Sequence, residues 1–161
     1  MILADAEWLW RDTLAKNPDS WMVNLNLART LNQRGAKADG AMDFPTAEQL
    51  DATDVLVIFA PDGMKILGEQ RANFEKFLKH GGGLVVVHDG VVSGDEQARA
   101  RKVQGGSWRW DGEKKTKWYE GDVGVYFVDK KHPITAGLSN FDWKDEIYYD
   151  LDMAPDAHVL A

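Results

Sequence analysis

Several stretches of this chain hold side chains able to move protons or grip a polar ligand. His88-Asp89-Gly90 follows directly on the apolar run Leu84–Val87. An imidazole exchanges protons near neutral pH, and a nearby carboxylate can orient it or share its charge. At the end of a buried strand, such a pair lies where open α/β sheets bind their ligands. A histidine satisfied by a backbone carbonyl fits the same position, and position alone does not separate the two. Asp145-Glu146 opens an extended run through Tyr148. Paired carboxylates supply a base or a metal ligand, and they equally mark a solvated strand entry. Trp108, Trp110 and Trp118 are expected in loops, not on a helical stripe. Their rings either stack on the C–H faces of a sugar or cover a sheet edge. His132 precedes Pro133, which biases it toward extended backbone. It reads either as a second imidazole over a pocket or, the favoured reading, as the cap of a turn away from it. Asp62 and Tyr148 are candidates by strand-end position, whereas His80 and His158 read as structural. Two histidines and a carboxylate (His88, His132, Glu146) form a legitimate ligand set, but no spacing signature supports one. No metal site is assigned and no cofactor is implied.

The elements that position these groups are legible from periodicity. Phe74, Phe77 and Leu78 share one helical face at i, i+3, i+4 spacing. Gly81-Gly82-Gly83 stops the helix and turns the chain. Leu84–Val87 is continuously apolar, as in a parallel strand covered on both sides. Val55–Phe59 is a second such run, entered at Asp54 and left at Ala60-Pro61-Asp62-Gly63. With a helix from about Gly68 to His80 between them, the two runs predict a right-handed βαβ crossover. Thr46 and Gln49 stand at capping-box spacing before a short helix. Val91–Val103 predicts loop plus helix, Val123–Val128 a strand, and His158–Ala161 a strand at the chain end, with Phe141 and Trp143 as packing residues.

Composition narrows the partners. A chain of 161 residues that is 44% hydrophobic can bury a core, and its net charge of −7 disfavours a nucleic-acid or anionic-membrane surface. Arg99, Arg101 and Lys102 read as a solvated helix face. The sequence has no cysteine, which excludes disulfides and a thiolate nucleophile. No apolar run nears the ~20 residues of a membrane span, and no basic region precedes an apolar one at Met1-Ile2-Leu3. A cytoplasmic location is expected.

Residues 1–36 read as helices broken at Asn17-Pro18-Asp19-Ser20. Ala6, Trp10 and Pro18, followed by Leu27-Ala28, resemble the register of a tetratricopeptide repeat. Alternatively, Trp21–Gly35 is the first helix of the α/β domain behind it.

From about Phe44 onward, the motifs DVLVIFAPDG (54–63), FLKHGGGLVVVHDG (77–90), QGGSW (104–108), KWYEG (117–121), YFVDKKHPITAGLSNF (126–141) and DEIYYDLDM (145–153) stand in one order. Together they resemble the ThuA-like (trehalose utilisation) family. The resemblance implies an α/β fold, a flavodoxin-like parallel sheet of the class I glutamine amidotransferase type flanked by helices. Ala36–Ala41 has little strand character, and Trp8-Leu9-Trp10 is a poor substitute for a first strand. The domain, 37–161, is therefore expected to be truncated at both ends. In the amidotransferases that share this fold, the turn after the equivalent strand carries a cysteine nucleophile. Here His88 stands at that position, so thiolate acyl transfer is excluded.

The resemblance implies a carbohydrate-utilising protein acting on trehalose, a related disaccharide or a keto-sugar. His88 would be the acid/base and Glu146, in a pair the family shares, its assistant. Asp62, Asp89, Trp108, Trp118, His132 and Tyr148 would contact the sugar. The alternative is a non-catalytic carbohydrate-binding or interaction module that has lost its nucleophile. The expected partner is a small-molecule sugar, with neither nucleic acid nor membrane. A homo-oligomer stays open, and a protein partner would use residues 1–36 only on the repeat reading.

Overall fold

Phe74 and Phe77 anchor the structure: both are buried, and their rings lie 6.4 Å apart on one face of a helix. The computed structural model describes residues 35–40, 43–59 and 65–161. The chain divides into two compact units, Met1–Thr46 and Ala47–Ala161. In the first, the described residues are irregular. The repeat-like reading of residues 1–36, and the candidate Asp62, lie outside the described residues except for Gly35 and Ala36.

The second unit opens with helix α1 (Ala47–Asp51), strand β1 (Val55–Ile58), helix α2 (Gly68–Lys79) and strand β2 (Gly83–Val86). Helix α2 carries Glu69 in its first turn and Lys76 and Lys79 in its last, the charge order that suits the helix dipole. It ends where Gly81 takes φ +90°, a left-handed conformation that other residue types resist. Its buried Phe74 and Phe77 join Leu50, Ile58 and Ile66 in the core of this unit. Strands β1 and β2 pair in parallel, Leu56 beside Leu84 and Ile58 beside Val86, so the βαβ unit forms as the apolar runs predict. One expectation fails. Val55, Val57 and Val85 are exposed while Ile58 is buried, so among the described residues the pair is covered on one face only.

A 3-10 turn (His88–Val91) follows β2, then helix α3 (Gln97–Gln104) and the short strand β3 (Gly106–Ser107). Strand β4 (Lys117–Val125) pairs antiparallel with β5 (Phe141–Tyr149), and β3 pairs antiparallel with β6 (Asp152–Met153). Strand β4 begins well before Val123, and Trp118 lies inside it instead of in a loop. No continuous apolar run marks its first half, Lys117-Trp118-Tyr119-Glu120. The nine-residue ladder with β5 satisfies the backbone there, and an amphipathic or polar run suffices when one or both faces meet water. The chain end is not a strand: His158–Ala161 is irregular, tied down where Val128 N–H donates to Leu160 O at 2.9 Å. The described residues thus combine one small parallel sheet, flanking helices and two antiparallel pairs, an α/β arrangement. Among them, no helix is long and apolar enough to cross a membrane.

Candidate functional site

Strand β2 delivers the chain into a tight turn. Val87 N–H donates to Ile58 O at 2.9 Å, extending the ladder, and His88 then adopts φ +51°. Histidine tolerates this left-handed region better than most residues with a side chain. Gly90 closes the turn against the sheet. A Cβ at this position would stand 2.7 Å from Val86 Cγ1 and 2.9 Å from Ile58 O, so only glycine fits. The imidazole of His88 and the carboxylate of Asp89 face each other, Nδ1 to Oδ1 3.2 Å, although adjacent residues need not.

Strand β5 supplies the opposite wall. Alternation along the strand puts Glu146 and Tyr148 on one face, half-buried, and Asp145 on the other. Asp145 turns its Oδ1 back to accept from the N–H of Glu146 at 2.8 Å. The two carboxylates are therefore not a pair in space. Tyr148 donates to Asp89 Oδ1 at 2.6 Å, and its hydroxyl lies 3.3 Å from His88 Nε2 and 3.4 Å from Nδ1. Glu146 Oε2 stands 4.0 Å from His88 Nε2. Burial, then the hydrogen bond to Asp89 and the charges of Asp89 and Glu146, push the Tyr148 phenol far above its ordinary range. It stays a protonated donor, unable to serve as a phenolate base.

These groups can pass a proton among themselves and present it to a ligand. Asp89 and Glu146 flank the His88 imidazole, and the Tyr148 hydroxyl donates to Asp89 beside it.

The family model described as ThuA: Trehalose utilisation matches residues 17–161. The chain belongs to the ThuA family. The match reaches upstream of the motifs that begin near Phe44 and takes in Trp21–Gly35. No curated protein and no solved structure matches the chain.

In this ThuA-family chain, aromatic rings surround the His88–Tyr148 cluster. Phe59 lies 5.8 Å from the His88 ring, and Trp108 meets Tyr148 edge-on at 5.1 Å. Trp110 continues the row, 5.7 Å from Trp108. The Trp108 N–H donates to Val91 O at 2.9 Å, which ties this loop to the turn that carries His88. Behind the loop, Asp152 accepts from Arg109 at 2.7 Å and from Gln97 and Arg101 at 3.2 Å. The Arg109 hydrogen bond above all, helped by Gln97 and Arg101 and opposed by burial, holds the Asp152 carboxyl below the usual carboxylate range. Buried Thr116 closes the loop, accepting from Arg109 N–H at 2.8 Å and donating to Asp150 O at 3.1 Å.

Other candidates fall differently. Trp118 stands directly across the ladder from Tyr148, on the same face, but is 60% exposed, and the ring packed on Tyr148 is that of Trp108. His132 belongs to a second cluster. Its Nδ1 accepts from Ile134 N–H at 3.3 Å, its ring meets His158 edge-on at 5.4 Å, and His158 pairs with Asp129 at 3.0 Å. Backbone N–H donation from Lys131 chiefly, then from His132, with the His158 charge, lowers the Asp129 carboxyl. Among the described residues, no hydrogen bond, ion pair or ring contact joins His132 to His88, Glu146 or Tyr148. Phe59, at the end of an apolar run, has no sequence signal that separates it from core. Trp110 had one, an aromatic in a turn-rich loop beside Trp108.

Proposed function

We propose that this ThuA-family chain is a sugar-processing enzyme of trehalose or related disaccharide and keto-sugar utilisation, with His88 as its general acid/base. The carrying observation is the convergence of His88, Asp89 and Tyr148, with Glu146 4.0 Å from the imidazole and the Trp108 ring edge-on to Tyr148. His88 exchanges a proton with a sugar hydroxyl or leaving oxygen. Glu146 favours the imidazolium that forms, while Tyr148, kept protonated, donates to a sugar oxygen or holds Asp89 in place. Trp108 offers an apolar face to the ring carbons. An amidotransferase-like sheet fits the βαβ unit and the place of His88 beyond β2. The ligand of this site is a small sugar, neither a nucleic acid nor a membrane.

A carbohydrate-binding module is the second reading, favoured by one observation: the sequence has no cysteine to act as the nucleophile of an amidotransferase-type site. Turnover of trehalose and of its keto derivative by the wild type and by His88→Ala separates the two. The enzyme reading expects turnover that the substitution abolishes. Sugar binding without turnover in either protein establishes the module instead.

A further inference from the structure

The aromatic row that starts at His88 does not stop at the site described above. Tyr148, Trp108 and Trp110 follow one another at ring spacings of 5.1 and 5.7 Å. Trp110 leads into an open cleft of about 440 Å³, lined by Gly94, Gln97, Trp110 and Asp111.

The lining suits a particular ligand. Trp110 is 53% exposed, and its ring has no polar group apart from the indole N–H. Asp111 is exposed and brings an acceptor carboxylate. Gln97 brings an amide whose Nε2 donates to Asp152 at 3.2 Å and whose carbonyl oxygen is an acceptor. Gly94, at φ +48°, offers backbone with no side chain in the way. An apolar ring face beside hydroxyl acceptors, with no cation among the lining residues, matches a neutral polyhydroxylated ring and not an anion.

The loop that carries Trp110 is held independently of any ligand. Arg109 bonds Asp152, and Arg109 and Thr116 exchange backbone and side-chain hydrogen bonds across the loop base. A platform already in place loses little entropy on binding.

We propose that this cleft is the subsite for a second sugar ring, with Trp110 as its stacking platform and Gln97 and Asp111 as acceptors for its hydroxyls. The proposal rests on the reading of the His88 site as a sugar site and adds to it which residues hold the second ring. Trp110 and Asp111 then set the preference for disaccharide over monosaccharide, while the groups around His88 hold the first ring.

Calorimetric titration of the full chain with trehalose and with D-glucose tests it, in wild type, Trp110→Ala, Trp110→Phe and Asp111→Ala. Trp110 and Asp111 are exposed, and melting temperatures check that the variants fold. The expected result is that Trp110→Ala lowers affinity for trehalose about tenfold more than affinity for glucose, with Trp110→Phe recovering most of the loss. Asp111→Ala is expected to move the same ratio in the same direction. A trehalose-to-glucose ratio unchanged in Trp110→Ala, with wild type binding both sugars, overturns the subsite and leaves the His88 reading standing. Wild type that binds neither of these sugars nor the keto derivative of trehalose overturns both.

Discussion

The Tyr148 hydroxyl on strand β5 donates a 2.6 Å hydrogen bond to Asp89 Oδ1, in the turn that leaves strand β2. This contact joins the parallel βαβ unit to the antiparallel pair, and it holds the wall of the candidate site against the residue beside His88. The phenol sits among a carboxylate it donates to, an imidazole, and the half-buried Glu146.

Tyr148→Phe removes that donor and keeps the ring against Trp108. Loss of a hydrogen bond to a charged acceptor is expected to cost about 1–2 kcal/mol in denaturant unfolding. The raised phenol also gives a pH signature. The folded chain holds this proton more tightly than the unfolded chain, where tyrosine ionises near ~10. The associated stability is complete below that pH and declines as pH rises toward the higher folded value. Ultraviolet titration should show a late-ionising tyrosine that vanishes in Tyr148→Phe. An identical titration curve for the two proteins contradicts the assignment.

His88 combines an unusual backbone with an unusual neighbourhood. At φ +51°, asparagine replaces it with little strain, whereas alanine faces a penalty of about 1–2 kcal/mol. His88→Asn is expected to melt within a few degrees of wild type and to lose the acid/base step, while His88→Ala loses both stability and turnover. Melting curves paired with sugar-turnover assays on the two variants distinguish chemistry from folding. If His88→Asn retains full turnover, His88 is not the acid/base.

Asp152 secures the loop behind Trp108 through Arg109, Arg101 and Gln97. Asp152→Ala strands two guanidinium groups and is expected to destabilise the chain by about 1–3 kcal/mol. Because the folded carboxyl titrates below its unfolded value, this stability is present above about pH 4 and is lost as pH falls through the folded value. Unfolding free energy measured from neutral to acid pH should therefore converge for wild type and Asp152→Asn at the acid end. Parallel curves at every pH count against the linkage.

Gly90→Ala places a methyl group 2.9 Å from the backbone oxygen of Ile58 and 2.7 Å from Val86 Cγ1. Backbone cannot yield as a flexible side chain does, so the turn carrying His88 must shift. A loss of about 1–3 kcal/mol is expected in chemical denaturation, together with weakened sugar affinity. Unchanged stability and affinity would show that the turn relaxes freely.

Much of the fold is legible in the sequence. Phe74, Phe77 and Leu78 at helical spacing, the glycine stop at 81–83, and two apolar runs around one helix dictate a βαβ unit through local forces alone. The same runs placed His88 and Asp89 at a strand end, and the absence of cysteine ruled out thiolate chemistry. Strand β4 was less legible. Lys117–Asp122 has no apolar run, and its extended form depends on a ladder with a strand more than a dozen residues away.

Tertiary structure alone decided which of the candidates meet. Tyr148 and Asp89 are 59 residues apart, and nothing in their local spacing makes them partners. Strand alternation sent Glu146 toward His88 and Asp145 away from it, while the register of β4 on β5 put Trp118 across from Tyr148 without bringing its ring to bear. The Arg109–Asp152 bond set Trp108 in that place instead, and His132 went to Asp129 and His158. Residue types and periodicity act over a few neighbours and determine elements. Contacts between elements depend on register, strand face and loop closure, which are settled only when the whole chain packs.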